Sequence, residues 1–119
     1  MGGVSADPVV SAVLGAIGKR YLVEHWESED GTTWYDRYSD GWVVQWGIKK
    51  KSGGRTTITL PVTMANTSYF AFVTNSDLAG NDENGWEMTN GCNLETRTTS
   101  SFIYSSYSDC SWYVSGYAA

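Results

Sequence analysis

With 119 residues, the chain has the length of one domain with a single modest core. A formal charge of −5 and a pI near 4.6 argue against nucleic acid or an anionic membrane surface as the main partner, since both repel net negative charge. Six Trp, eight Tyr, scarce Leu, only two prolines and plentiful Thr, Ser and Gly favour strands and turns over helices. No stretch approaches the roughly 18 apolar residues of a membrane-spanning helix.

The first segment, residues 1–20, is expected to end in a short α-helix. Met1-Gly2-Gly3 reads as a start added to a piece of a longer protein. Asp7 is a good N-cap with Pro8 at the first helical position. Val9, Val10, Val13, Leu14 and Ile17 then recur at helical spacing, and Gly18-Lys19-Arg20 closes the run. This apolar stripe packs on its own domain in one reading, and against identical helices of other chains in another.

Residues 21–119 are expected to form a β domain. Tyr21 to Glu27 is a strand ended by the acidic turn Ser28-Glu29-Asp30-Gly31. Trp34 to Tyr38 and Trp42 to Ile48 form a hairpin about Ser39-Asp40-Gly41, with Gly41 where a left-handed backbone is required. Period-2 alternation sends Trp42, Val44, Trp46 and Ile48 to one face of the second strand, and their bulk assigns that face to the core. Lys49 to Gly54 reads as a basic, glycine-bearing loop, in which Lys49 to Lys51 form a solvated hairpin tip or, in a second reading, meet an anionic surface glycan. Thr56 to Val62 is a strand with Ile58, Leu60 and Val62 on one face, and Tyr69 to Asn75 another, its Phe70 and Phe72 opposed to Ala71 and Val73. Asn75 to Gly91 carries Asn, Gly and acidic residues without apolar period and reads as a long surface loop. Leu94 to Thr98, Phe102 to Tyr107 and Ser111 to Tyr117 complete the set. Strands at intervals of about a dozen residues predict an all-β fold, mainly an antiparallel β-sandwich or barrel-like sheet, with the short N-terminal α-helix attached.

Few residues point to chemistry. Thirteen carboxylates lie mostly in turns, and the single histidine, His25, sits in a strand; no nucleophile elbow is present. A non-enzymatic role is expected, and nothing calls for a cofactor. Two cysteines and one histidine without close spacing make no zinc site. Cys92 and Cys110 are read as buried thiols rather than a required staple. The loop from Asn75 to Gly85 has oxygen ligands but not the ordered spacing of a calcium loop, so no metal is assigned. Trp42, Trp46 and Trp112 lie on apolar stripes and are assigned to the core. Trp86 has no stripe to join, and Trp26 and Trp34 fall between. Tyr104, Tyr107, Tyr113 and Tyr117, interleaved with serines, read as one Tyr/Ser surface suited to adaptable recognition.

The hairpin run WYDRYSDGWVVQWG, with Trp34, Tyr35, Arg37, Tyr38, Ser39, Asp40, Gly41, Trp42, Gln45 and Gly47, resembles the C-terminal domain of bacteriophage tail fibres and related tail proteins. Ile58 to Val62, Tyr69 to Val73 and Trp112 to Tyr117 extend the resemblance more loosely, so that it covers roughly residues 21–117. It implies a virion component, assembled in the bacterial cytoplasm and acting outside the cell, with residues 1–20 as the end of a stalk and residues 21–119 as the fibre tip. It also implies a homotrimer, which the apolar helix and a surplus of aromatic side chains support. The partner implied is a bacterial surface receptor, a glycan or an outer surface protein. Contact in a fibre tip is expected on loops. Trp86 with Asp82 and Asn84, an aromatic face beside hydrogen-bonding side chains, is therefore the expected ligand site, and Tyr107 the second. A carbohydrate-binding module, monomeric with exposed coplanar tryptophans, and a purely structural trimerisation cap are the alternatives.

Overall fold

Turn residues cut the chain into short strands, and a computed structural model describes residues 20–51, 53–76 and 93–119. The strands are β1 (Leu22–Glu27), β2 (Thr33–Tyr38), β3 (Trp42–Lys49), β4 (Gly54–Thr59), β5 (Phe70–Asn75), β6 (Asn93–Arg97), β7 (Ser101–Ser106) and β8 (Cys110–Tyr117). All named pairings are antiparallel. A large sheet has the order β1-β2-β3-β8-β5 and a small one the order β4-β7-β6. The all-β expectation holds, as a sandwich rather than a barrel; the expected N-terminal helix lies outside the described residues.

Local chemistry makes the turns. Between β1 and β2, Asp30 Oδ1 accepts hydrogen bonds from Ser28 Oγ, Thr32 Oγ1 and Thr32 N. These donors hold its carboxyl below the usual carboxylate value. Between β2 and β3, Gly41 has φ +92°, the left-handed geometry expected from the sequence, and its N–H donates to Tyr38 O at 3.1 Å. Asp40 Oδ1 caps the turn by accepting Trp42 N at 3.1 Å.

The stretch Lys49 to Lys51 is not a hairpin tip. Its two flanking strands belong to different sheets, so this segment crosses the sandwich. Buried Asp109 holds it, accepting Lys51 N at 2.8 Å with Lys50 Nζ 4.0 Å away. The strand expected to reach Val62 stops at Thr59, since Pro61 has no N–H for a ladder. Leu60, Val62 and Met64 nonetheless keep alternating inward and are buried. They join Val43, Ile58, Phe102, Trp112 and Val114 between the sheets. Tyr69 ties the layers together: its hydroxyl lies 2.8 Å from Thr98 O and 3.1 Å from Ser101 O, while Arg97 donates to its carbonyl.

Candidate functional site

The large sheet has two faces, and the one turned away from the small sheet is the unusual one. In β3, Val43, Gln45 and Gly47 are buried, while Trp42, Val44, Trp46 and Ile48 are only half-buried and face outward. The expected phase is thus inverted, and Trp42 and Trp46 do not belong to the core. Packing gives the reason. A Cβ on Gly47 would lie 2.5 Å from Trp112 Nε1, so the inner face there is already filled by Trp112, which alone of the three expected core tryptophans is buried. Bulk is then left for the outer side.

Register places those outer residues in rows. Glu27 pairs with Trp34, Trp34 with Trp46, Trp46 with Tyr113, and Tyr113 with Phe72. Four aromatic side chains therefore stand side by side across four strands. Trp34 and Trp46 are near parallel, with centroids 6.2 Å apart and planes at 13°; Tyr113 and Phe72 lie 5.9 Å apart. Phe70 extends the patch beside Phe72, and these two phenylalanines are 64% and 54% exposed. Monomeric proteins rarely leave a contiguous apolar face of this kind open.

A charged cluster borders the row at the β1 edge. His25 Nδ1 lies 2.5 Å from Asp36 Oδ1, its Nε2 lies 3.4 Å from Glu27 Oε2, and its ring sits 6.2 Å from that of Trp46. Trp34 Nε1 donates to Glu27 Oε1 at 2.9 Å. Asp36, then Glu27, hold the imidazole above its ordinary value against some desolvation. The Trp34 indole, then His25, hold Glu27 below its own. Because the folded-state pKa of His25 is raised, its contribution to stability is complete below the unfolded value of about 6.5 and is lost as pH rises through the folded value. We expect the ring protons of this single histidine to titrate above pH ~6.5 by NMR. Asp36→Asn should bring the midpoint back down, and an unchanged midpoint would dismiss the pairing.

The other face of the β1–β2 hairpin carries a second aromatic pair. Trp26 and Tyr35 stack there at 5.2 Å and 19°, and Glu24 accepts from Tyr35 Oη at 3.1 Å and Arg37 Nε at 3.2 Å. Every residue of β1 is exposed.

Of the residues expected to bind a ligand, Trp86, Asp82 and Asn84 lie outside the described residues, as does Cys92. Tyr107 is exposed in the β7–β8 turn. The supposed Tyr/Ser surface is not one surface. Tyr104 is buried between the sheets because the inward phase of β7 is Phe102, Tyr104 and Ser106, whereas Tyr113 and Tyr117 stand on the outer face of β8. Among the described residues, no cluster of three or more His, Cys, Asp or Glu could hold a metal. The aromatic row was missed, although β2, β3, β8 and β5 each carry one member of it; the correct phase of β3 would have revealed it.

A family model described as "Putative tail fiber protein gp53-like, C-terminal" matches residues 37–117, well over half of the chain. The chain is similar to an N-truncated R2-type pyocin tail fibre, with TM-score 0.50 and 20% identity over 92% of this chain and 43% of that one. It is also similar to a C-terminal fragment of the R2 pyocin fibre of P. aeruginosa, with TM-score 0.49 and 21% identity over 89% of this chain and 29% of that one. The chain therefore spans less than half the length of these fibres, and the first likeness bears on the fold alone. No curated protein matches.

Proposed function

Because this chain belongs to the gp53-like family of tail fibre C-terminal domains, we propose that it is the receptor-binding tip of a phage or phage-like tail fibre, acting without catalysis as a homotrimer. The family match over residues 37–117 carries the reading. Trimer formation is supported by the row Trp34, Trp46, Tyr113 and Phe72, which among the described residues is half-buried at the two tryptophans and exposed at Tyr113 and Phe72, and which identical neighbours would bury. Three copies then present three equal sites to one bacterium. Modest single-site affinities are multiplied by effective concentration, which is how a fibre holds a cell without a tight individual contact.

Two measurements test this. Sedimentation equilibrium at micromolar concentration should report three times the 13.1 kDa chain mass, and Phe72→Asp with Tyr113→Asp, two exposed positions, should return the monomer with strand structure intact. A parent protein that is already a stable monomer sinks the assembly, and favours the module reading to which the parallel pair Trp34–Trp46 would also lend itself. Preincubating sensitive bacteria with the protein should block attachment of the parent particle. Trimers that never block attachment would mean a structural cap.

A further inference from the structure

At the Gly41 end of the large sheet, beside the Phe70 end of the aromatic patch, the start of β3, the connector into β5 and the end of β8 line an open recess of about 260 Å³. We propose that this recess binds one neutral pyranose unit. It deepens the receptor-binding reading above, and rests on it for its biological meaning though not for its chemistry.

The walls are aromatic. Trp42 and Tyr117 meet edge to face, 5.1 Å between centroids and 86° between planes, forming a corner, and exposed Phe70 stands along the rim. Ring faces and edges of this kind match the apolar C–H face of a pyranose. The polar groups are neutral. Asn66 uses its side-chain oxygen to accept Ser68 N–H at 2.8 Å; among the described residues no hydrogen bond engages its Nδ2 or the hydroxyls of Ser68 and Ser115. These three groups can therefore donate to and accept from sugar hydroxyls without breaking existing bonds.

Charge selects the ligand class. The ionic groups beside its walls are engaged by the protein: Arg20 is closed on Asp40 at 2.8 Å and laid over the Trp42 ring at 4.6 Å, and Arg97 donates to the Tyr69 carbonyl with its guanidinium 5.2 Å from the Tyr69 ring. No carboxylate or amine lines the recess, so a charged ligand finds no counter-charge there. Size selects a single ring, since the volume falls just under the roughly 300 Å³ at which pockets begin to enclose drug-sized molecules.

The recess is also preformed. A Cβ on Gly116 would come within 3.0 Å of Met64 Cε and Tyr69 Cβ, so the floor is in close contact with the core. Ala65 N donates to Tyr117 O at 2.9 Å, Ala118 N to Gly41 O at 2.8 Å, and Ala119 N to Thr63 O at 2.9 Å. Three segments are thereby fixed about the site, which lowers the ordering cost of binding. Trp42 lies four strand positions from Trp46, about 13 Å at ~3.3 Å per residue, so an interface centred on Trp34 and Trp46 leaves that wall open. Phe70, stacked on Phe72 at 6.0 Å, stands on the border of patch and recess.

The test uses the assembled protein and the methyl glycosides of glucose, galactose, mannose and N-acetylglucosamine, each titrated into a ¹H–¹⁵N spectrum. At least one should shift the Trp42 indole and the Ser68 and Gly116 amides saturably, with millimolar Kd. Ser68→Ala and Ser115→Ala each remove one hydroxyl without adding charge, and each should weaken binding about tenfold, the effect of roughly one lost hydrogen bond. Glucuronate and glucosamine should bind more weakly than their neutral parents. No saturable shift with any glycoside, shifts indifferent to both variants, or tighter binding of a charged sugar each overturns the proposal. If no sugar reaches the recess while the protein still blocks particle attachment, the recess is excluded and the receptor-binding reading stands. Sugar binding without any block of attachment leaves the recess and removes its role in adhesion.

Discussion

Gln45→Leu is expected to destabilise the domain by about 2–5 kcal/mol, although it makes the core more apolar and nearly preserves volume. Gln45 is fully buried. Its Nε2 donates to Val62 O at 2.9 Å and its Oε1 accepts Val62 N at 2.9 Å, so the side-chain amide pairs with a backbone unit as a neighbouring strand would. Val62 has left the β4 ladder just after Pro61 and has no strand beside it to supply those bonds. Leucine leaves one donor and one acceptor buried without partners, each costing roughly 1–3 kcal/mol. A burial-only account gives the opposite sign, so denaturant melts of the two proteins decide between them. Gln45→Glu adds a second check. Its ionised form faces Val62 O with a charge, while its protonated form restores the donor; burial raises the folded-state pKa of such a carboxyl, so the variant should gain stability as pH falls through that value. Leucine that matches or exceeds the parent would show that the amide pair contributes nothing.

The same residue shows what can be read along the chain and what cannot. Alternation in β3 was visible, since Trp42, Val44, Trp46 and Ile48 are spaced by two. The face they occupy was not, because hydrophobicity ranks them above Val43, Gln45 and Gly47. Two partners distant in sequence decided it. Trp112 sits directly opposite Gly47, and Val62 needs an amide where Gln45 stands. A Gln and a Gly at alternate positions within an apolar strand mark a close approach of other backbone or ring, and that mark outranks side-chain bulk.

Turns were more legible because their causes are local. Gly41, Asp40 and Asp30 act on groups within a few residues of themselves. The crossings from β3 to β4 and from β7 to β8 were not, since Asp109, which anchors the first of them, lies 58 positions from Lys51. Much of the hairpin run that marks the family is accordingly structural: Asp40 and Gly41 make the turn, and Gln45 and Gly47 fit the inner face. The recess at Trp42 was invisible for the same reason, as it gathers β3, the connector at Asn66 and the end of β8.

Gly47→Ala is the second large effect expected, about 3 kcal/mol of lost stability from a single methyl group. The requirement is not one of backbone angle, since Gly47 is absent from the positive-φ glycines. It is space. The new Cβ would stand 2.5 Å from Trp112 Nε1, 2.7 Å from Trp112 Cε2 and 2.7 Å from Thr32 O. Neither neighbour yields cheaply. Thr32 O is held by Ile48 N at 2.9 Å, which joins the β1–β2 turn to β3. Trp112 is buried and packs edge-on against Phe102 at 5.8 Å in the centre of the sandwich. Relief means shifting a core indole or lifting the β1–β2 hairpin away from β3. Reducing the ring should then recover part of the loss: Trp112→Phe in the Gly47→Ala background is expected to cost less than the two single changes added together, because the clash with the indole is relieved while that with Thr32 O remains. Denaturant melts of the four proteins give that coupling directly. Additive losses would mean that the alanine is accommodated without touching Trp112, and that the glycine at this position answers to something other than the ring above it.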